Sequence, residues 1–520
     1  MAPQRGKKRR WPWLLAGLLV PVVAAGGVIW ALRTEGSPKE TADKYLAAWS
    51  AQDYAGMRAL VADPPADFET WHRRFRTDLK VTEARFHVPS ASGVFASYGD
   101  EISFAAKLTG QEDWDYGGEL KLVERDRAWK VAWTPAAIHP LLKQGRSLRV
   151  ISQQGDSLQV LAADGTPINT PSAPGSVQQL VEGIKQTFPD RFKSPARNRI
   201  DLYEGDKPIQ TVVRAAGYRP FQTTIDLKVH QAGAKALEGV SKPASLVALR
   251  ASTGEILAVV NKPGGFNRAL LGKYPPGSTF KVVTASALVA GGIEPSRQVT
   301  CPAEKNIGGF PFHNADFEDF GTLSFEKAFA HSCNTTFGEM SVDRLNGGRL
   351  AEVARSFGFG TPITPGVPAV RAEFPDPKDD TDLASASIGQ GRVLASPLNM
   401  ASVAAAIASG AWIAPSLVKE ELIPGAQPTN PRPLEQGVIT ALRKLMPAVV
   451  TEGTAHAVRF PEGTAGKTGT AEYGSGAEPP THSWFIGYRG DLAFAVIAEG
   501  AGTGATVAAP AAARFLNALP

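Results

Sequence analysis

The chain has little cysteine and almost no net charge outside its first residues, and both deficits exclude classes of protein. Only two of the 520 residues are cysteine, so a disulfide-rich scaffold is excluded. The formal net charge is +5, and the five basic residues of the N-terminal tail (residues 1–10) account for that excess. The remainder of the chain is electrically balanced, so it lacks the basic surface of a nucleic-acid-binding protein.

The positions of Cys301 and Cys333 leave their chemical state open. A disulfide requires Cα atoms within about 7 Å of each other, which the spacing alone does not decide. Zinc is a further alternative because His313 and His331 lie nearby, but no C-x-x-C or H-x-x-x-H spacing is present. The pattern favours two free buried thiols over a disulfide, and a disulfide over a metal site, so no metal ligand is predicted.

A long uncharged run follows the basic tail. Trp11–Leu32 contains no charged residue and is about long enough to cross a bilayer as a helix. The positive residues before it would hold that end in the cytoplasm. The alternative is a cleaved signal peptide with Ala24-Ala25-Gly26 as small residues, but its apolar part would be long. We predict a single-pass membrane anchor, with the rest of the chain outside the cytoplasm.

Residues 37–142 are predicted to form a compact α+β domain. Apolar positions at helical spacing predict a helix over Thr41–Trp49. Alternating segments predict strands at Glu101–Leu108, Gly118–Glu124 and Trp129–Trp133. Helices that precede an antiparallel sheet are typical of the α+β class.

The remaining chain divides into a linker, residues 143–220, and a large enzyme domain, residues 221–520. The linker contains a strand-turn-strand pattern at 155–168 and a helix near Ser176–Thr187. At the start of the enzyme domain, residues 245–262 predict two strands joined by a Ser-Thr-Gly turn.

The first chemical motif is the run Tyr-Pro-Pro-Gly-Ser-Thr-Phe-Lys at residues 274–281. The prolines and the glycine disfavour helix before Ser278, and the apolar run after it predicts a buried helix that begins at the serine. Lys281 lies one helical turn from Ser278 on the same face. Burial disfavours the charged form of a lysine, so a neutral Lys281 could take the hydroxyl proton and activate Ser278. Alone, the S-x-x-K spacing is also met by an ordinary surface lysine.

Two further motifs follow in the chain. Ser332 and Asn334 could face one cleft from a short irregular connection, although S-x-N alone is commonly a turn or a helix cap. Lys467, Thr468 and Gly469 predict a strand edge that offers a cation and a hydroxyl to a carboxylate, with a glycine that lets a ligand approach. A P-loop is the competing interpretation, but the glycine that it requires five residues earlier is Pro461.

S-x-x-K, S-x-N and K-T-G in this order resemble the signature of the penicilloyl-serine transferase superfamily. Residues 221–520 carry the resemblance, and the stretches Ser387–Gly391, Glu452–Thr454 and Trp484–Tyr488 are similar to the same family. Residues 37–142 resemble the NTF2-like domain found before the catalytic part of some penicillin-binding proteins, and 155–168 resembles a degenerate pedestal. The chain is therefore similar to class B penicillin-binding proteins, which are monofunctional D,D-transpeptidases.

The resemblance implies a multidomain α+β chain. It comprises a transmembrane helix, an NTF2-like domain, a linker or pedestal region, and a transpeptidase domain with an antiparallel sheet, helices on both faces and an all-helical subdomain. It implies residue roles and partners as well. The implied catalytic residues are Ser278, Lys281, Ser332, Asn334 and Lys467; Thr468, Gly469 and Thr470 bind substrate, and the backbone amides of Ser278 and Thr470 form an oxyanion hole. No cofactor is implied.

The implied reaction cross-links peptidoglycan stem peptides through a serine acyl-enzyme, with β-lactams as inhibitors. The implied location is the outer face of the cell membrane, in contact with other proteins of cell-wall synthesis. A D,D-carboxypeptidase, a β-lactamase and a non-catalytic β-lactam sensor or structural subunit remain alternatives. The sequence leaves open the acceptor amine, the choice between division and elongation, the affinity for β-lactams, the role of the NTF2-like domain and the oligomeric state.

Overall fold

The computed structural model describes residues 34–89, 100–110, 113–153, 158–192, 197–213, 220–423, 430–475 and 479–519. The basic tail and the predicted anchor, Trp11–Leu32, lie outside these ranges. Among the described residues, no helix combines the length and the apolarity that crossing a bilayer requires.

The described residues contain both helices and strands, in mixed order along the chain. The helices are α1 (Pro38–Ser50), α2 (Tyr54–Ala59), α3 (Phe68–Asp78), α4 (Gly175–Thr187), α5 (Pro189–Phe192), α6 (Leu227–Glu238), α7 (Arg268–Leu271), α8 (Lys281–Ala290), α9 (Phe325–Ala330), α10 (Asn334–Arg344), α11 (Gly347–Ser356), α12 (Asp380–Ser387), α13 (Pro397–Ser409), α14 (Gln436–Thr451) and α15 (Ala509–Asn517). The strands are β1 (Val81–His87), β2 (Glu101–Gly110), β3 (Trp114–Arg125), β4 (Ala128–Val131), β5 (Arg146–Gln153), β6 (Val160–Leu161), β7 (Arg197–Glu204), β8 (Lys207–Val213), β9 (Phe221–Gln222), β10 (Ala244–Arg250), β11 (Ile256–Lys262), β12 (Gln298–Cys301), β13 (Glu304–Ile307), β14 (Phe310–His313), β15 (Gly321–Ser324), β16 (Ala411–Trp412), β17 (Arg432–Pro433), β18 (Thr464–Glu472), β19 (Thr481–Arg489) and β20 (Leu492–Ala498).

The described residues form two compact units. The first contains 34–153 and 197–213, and the second contains 158–192 and 220–519. The segment 143–220, which the sequence suggested as one linker, is thus distributed over both units. The reason is strand pairing: β5 pairs with β7 in the first unit, whereas β6 pairs in parallel with β9 in the second.

The first unit is built on an antiparallel sheet in the order β1-β2-β3-β4, which helix α1 covers. The predicted helix and the three predicted strands are confirmed, with ends that differ by a few residues. Ser37 caps α1 by accepting a hydrogen bond from the backbone N–H of Glu40. In the core, Trp49 stacks on Phe86 with ring centroids 3.7 Å apart. A second sheet, β5-β7-β8, was not predicted, and its residue Leu202 extends the same core.

A fully buried histidine lies in that core. Nε2 of His72 lies 3.2 Å from both the Tyr45 hydroxyl and the indole Nε1 of Trp133. Because an indole N–H can only donate, Nε2 is the acceptor and the ring proton resides on Nδ1. Nδ1 has no hydrogen-bond partner among the described residues. Burial lowers the pKa of His72 from 6.5 to about 3, so the folded state holds the neutral ring.

The second unit is built on a five-stranded antiparallel sheet in the order β11-β10-β20-β19-β18. The predicted hairpin at 245–262 is confirmed as β10 and β11, and its turn contains Gly254 with a positive φ of 75°. Every residue from Ala244 to Leu249 is buried, so both faces of the sheet are covered. Helix α13 packs on β10, β19 and β20, whereas α6 and α15 pack on each other and on the same sheet. Strand β18, which carries the K-T-G motif, is the edge.

The two cysteines form a disulfide, so the preference for free thiols was wrong. Cys301 and Cys333 have Cα atoms 6.1 Å apart, within the range for a bridge. Cys301 ends β12, which pairs with β15, and β15 leads into α9. This pairing brings the chain back to Cys333 across a separation of 32 residues, and spacing alone cannot show such a return.

Acid is expected to destabilise the first unit through His72. The neutral form is favoured only in the folded state, so its contribution is complete above pH 6.5 and is lost as the pH falls towards about 3. At pH 5 the loss is about 2 kcal/mol. We expect His72→Gln to flatten this dependence in thermal unfolding between pH 7.5 and pH 5. The exposed His87→Gln is the control, and an equal slope in wild type and His72→Gln would contradict the prediction.

Removal of the disulfide is expected to destabilise the second unit. A bridge across 32 residues is worth about 3–4 kcal/mol in the chain-entropy estimate. We expect the double variant Cys301→Ser/Cys333→Ser to lose about this much free energy of unfolding in urea, because its denatured chain is less restricted. Wild type unfolded in urea with a reductant should match the variant, which itself should not respond to the reductant. A wild type that is equally stable with and without reductant would refute the assignment.

Candidate active site

The turn that carries Ser278 is tightly packed against the edge strand. Residues 277–280 form a 3-10 turn, and α8 follows directly from Lys281. Gly277 has a φ of +52°, and a Cβ at this position would lie 2.5 Å from the carbonyl oxygen of Thr470. Only glycine fits both conditions. The backbone of Ser278 is thereby held beside β18, as the family resemblance implied. The α-helix that the sequence predicted to begin at Ser278 begins instead at Lys281, after the 3-10 turn.

A second loop supports the same turn. The N–H of Gly277 donates to the carbonyl of Gly389 at 2.9 Å, and the Thr284 hydroxyl donates to the carbonyl of Ser387 at 2.6 Å. A Cβ on Gly389 would lie 2.1 Å from the Gly277 carbonyl oxygen. The Ser387–Gly391 stretch, which the sequence singled out only by resemblance, therefore packs against the nucleophile turn.

The amine of Lys281 lies among four oxygen atoms, which belong to three residues. Nζ is 3.0 Å from Ser278 Oγ, 2.6 Å from the carbonyl oxygen of Ser332 and 2.6 Å from Oδ1 of Asn334. It also lies 3.3 Å from the Ser332 hydroxyl. A neutral amine has two hydrogens and one lone pair. The carbonyl and the amide oxygen accept the two hydrogens, so the lone pair is left for the hydroxyl proton of Ser278.

The electrostatic surroundings favour that neutral amine. Lys281 is fully buried, and burial, followed by the charge of Lys467, holds its pKa well below the usual value. Burial also lowers the pKa of Lys467, from 10.5 to about 7. Two buried amines that repel each other cannot both be charged without cost. This cost favours the neutral form of Lys281, which is the form that can act as a base.

The S-x-N motif lies on a short irregular connection, the condition under which the sequence allowed its two side chains to face one cleft. Ser332 lies between α9 and α10 with a φ of +62°, which is unusual for a residue other than glycine. This conformation directs both its carbonyl and its hydroxyl towards Lys281. Asn334 is the first residue of α10, and its Nδ2 donates to the carbonyl of His313 at 2.9 Å. The disulfide at Cys333 lies between the two motif residues.

The K-T-G motif lies within β18, paired with β19. Nζ of Lys467 donates to the carbonyl of Thr468 at 3.0 Å. A Cβ on Gly469 would lie 2.8 Å from Cγ2 of Thr279, so this glycine is required for the strand to approach the nucleophile turn. Oγ1 of Thr470 accepts from the N–H of Gly504 at 3.3 Å. The structure thus places all three motifs around Ser278 in one unit.

Sequence reasoning missed one contact in the third motif. The hydroxyls of Thr454 and Thr468 lie 2.5 Å apart, and the N–H of Thr454 donates to the carbonyl of Ala330 at 3.0 Å. Thr454 therefore joins β18 to the end of the helix before Ser332. The stretch Glu452–Thr454 was noted for its family resemblance, but no local pattern indicated which residues it contacts.

Two family models match this chain. The family described as penicillin binding protein transpeptidase domain matches residues 244–517. The family described as NTF2-like N-terminal transpeptidase domain matches residues 37–146.

Relatives and solved structures carry related names. The chain is 34% identical over 351 residues to the peptidoglycan D,D-transpeptidase PbpA of Mycolicibacterium smegmatis, covering 55% of this chain and 70% of that protein. It is 28% identical over 336 residues to the peptidoglycan D,D-transpeptidase MrdA of Acinetobacter baumannii, covering 51% of this chain and 49% of that protein. The imipenem acyl-enzyme complex of penicillin-binding protein A from M. tuberculosis superposes with a TM-score of 0.52 and 28% identity, covering 59% of this chain and 80% of that chain. Because the transpeptidase match spans more than half of its residues, the chain belongs to the penicillin-binding protein transpeptidase family.

Proposed function

We propose that this chain is a peptidoglycan D,D-transpeptidase that cross-links stem peptides through an acyl-enzyme on Ser278. The observation that carries the proposal is the position of the Lys281 amine, 3.0 Å from Ser278 Oγ and bound by two oxygen acceptors that use its hydrogens. The names of the relatives and the acyl-enzyme complexes support the same reaction.

Acylation begins when Ser278 Oγ attacks the carbonyl between the two terminal D-alanines. Its proton passes to the neutral Lys281, and the oxyanion is stabilised by the backbone N–H groups of Ser278 and Thr470. The C–N bond then breaks. The departing D-alanine takes a proton from Lys281, and the Ser332 hydroxyl at 3.3 Å from Nζ provides a route for it.

Deacylation reverses these roles with a different nucleophile. An amine of a neighbouring stem attacks the ester, gives a proton to Lys281 and forms the cross-link, while Ser278 Oγ departs and recovers its proton. Lys467, Thr468 and Thr470 bind the terminal carboxylate of the donor, and Gly469 leaves room for it. Asn334 holds the peptide backbone of the donor. A β-lactam imitates the donor and remains at the acyl stage.

The location of the catalytic unit is part of the proposal. The uncharged run Trp11–Leu32 after a basic tail supports a single-pass anchor with the catalytic unit outside the membrane. The disulfide supports the same placement, because such bridges persist in oxidising compartments.

Three other functions use the same residues. A carboxypeptidase differs only in accepting water, and a β-lactamase must hydrolyse its acyl-enzyme quickly. A sensor would keep Ser278 acylable but turn over no peptide. The predicted anchor and the long region before the catalytic residues favour a cell-wall transpeptidase over a β-lactamase.

Labelling with a fluorescent penicillin is expected to require Ser278. Wild type should give a labelled band that survives denaturation, and Ser278→Ala should give none, because the ester cannot form. Ser286→Ala is the matched control, since this serine is buried on α8, the helix that follows the Ser278 turn, and its hydroxyl donates to the carbonyl of Val282. Incubation with a pentapeptide and an amine acceptor should release D-alanine and yield the cross-linked product. Retained labelling in Ser278→Ala would refute the nucleophile, and labelling without D-alanine release would favour the sensor.

The rate of acylation is expected to fall on the acid side as Lys281 becomes protonated. The neutral amine accepts the proton, so the rate should be constant above the pKa of Lys281 and fall as the pH drops through it. Lys467→Met removes the neighbouring positive charge and should move this limb to higher pH, whereas Lys467→Arg should not. The acylation rate is to be measured at saturating penicillin over a range from about pH 4 to about pH 9. A limb at the same pH in Lys467→Met and wild type would contradict the proposed coupling.

A further inference from the structure

The helix that begins at Asn334 lacks a cap from its own sequence. Cys333 precedes α10, and its side chain makes no capping hydrogen bond. The first N–H groups of a helix have no partner within the helix and need an acceptor from elsewhere. Thr335 is fully buried, so bulk water cannot accept the hydrogen bond from its backbone N–H.

Asn314 supplies that acceptor from a distant loop. Its Oδ1 accepts from the backbone N–H of Asn334 at 2.8 Å and from that of Thr335 at 3.3 Å. Asn314 comes twenty residues before Asn334 in the chain, directly after β14. It acts as an N-cap residue without belonging to the segment that enters the helix.

The amide of Asn314 can be oriented in one way only. Its Nδ2 donates to the carbonyls of Pro302 and Glu318, both at 2.9 Å, and the side chain is buried. If the amide were reversed, its oxygen would face two carbonyl oxygens and its NH₂ would face two N–H groups. An aspartate could not replace it, because a carboxylate has no hydrogen to give to the two carbonyls.

The neighbouring residue holds the side chain of Asn334. The carbonyl of His313 accepts from Nδ2 of Asn334 at 2.9 Å, which leaves Oδ1 directed at the Lys281 amine at 2.6 Å. His313 therefore fixes the side chain of Asn334, and Asn314 fixes its backbone. The loop that follows these two residues is strained, because Asp316 and Phe317 both have positive φ angles, 51° and 55°.

We propose that Asn314 is a positioning residue for acyl transfer, which holds Asn334 so that its Oδ1 occupies one hydrogen of the Lys281 amine and the lone pair faces Ser278. The inference rests on the proposed function. Hydrogen bonds of the Asn314 side chain run to Asn334, Thr335, Pro302 and Glu318, so its effect on the Lys281 amine is transmitted through the N-terminus of α10.

Replacement of Asn314 by alanine should slow the chemical step more than it weakens binding. A misplaced Asn334 lets the amine turn away from Ser278, and misplacement of about 1 Å can cost roughly 100-fold in rate. We expect the limiting acylation rate of Asn314→Ala with penicillin to fall by about 10- to 100-fold, with little change in the penicillin concentration at half-saturation. The acid limb of the pH profile should move to lower pH, because the ammonium form loses an acceptor.

The matched control is Asn399→Ala. Asn399 is another buried helix-capping amide, which accepts from the N–H of Ser396 at 2.9 Å and donates to the carbonyl of Val370 at 3.3 Å. It has no bond to the catalytic residues. Asn399→Ala should therefore lose stability like Asn314→Ala but keep the wild-type acylation rate and pH profile.

A second variant covers the case in which Asn314→Ala does not fold. Asn314→Ser keeps a hydroxyl oxygen near the helix terminus, and it should acylate faster than Asn314→Ala but more slowly than wild type. The inference is overturned if the folded Asn314 variants acylate like wild type, or if Asn399→Ala is slowed as much as they are. Each of these results would leave the proposed function intact as long as wild type is labelled and Ser278→Ala is not.

Discussion

The active site of the second unit depends on one constraint, the burial of the Lys281 amine among oxygen atoms. Lys281 is completely buried, and a charge in that position would be costly unless it were fully paired. The cost falls when the amine is neutral, which is also the state that can accept a proton. Stability and reactivity therefore favour the same protonation state, and the surrounding elements serve to preserve it.

Three local conformations meet at this amine, and each has its own physical cause. The nucleophile turn depends on the positive φ of Gly277 and on its lack of a side chain. Ser332 adopts a left-handed conformation that a disulfide and two helices hold on either side. Strand β18 can approach the nucleophile turn because Gly469 has no Cβ that would clash with Thr279. A small displacement of one of these elements would be felt by the other two, because interiors are packed like crystals.

How much could be predicted from the sequence depended on whether the signal was local. The spacing of Ser278 and Lys281, the hairpin at 245–262 and the helix over Thr41–Trp49 all follow from periodicity and turn chemistry. The disulfide could not be predicted, because it depends on β12 meeting β15. The role of Asn314 could not be predicted either, since an isolated asparagine has no motif and its partners lie in three other segments.

The first unit is discontinuous in the chain. Its second sheet takes β5 from one stretch and β7 and β8 from another, and residues 158–192, which lie between them, belong to the second unit. A fragment that stops after Gln153 would present β5 as an unpaired edge, a form that invites aggregation. During synthesis, the ribosome must likewise have extended the chain to Val213 before this sheet can close, so an early nascent chain carries an unfinished fold.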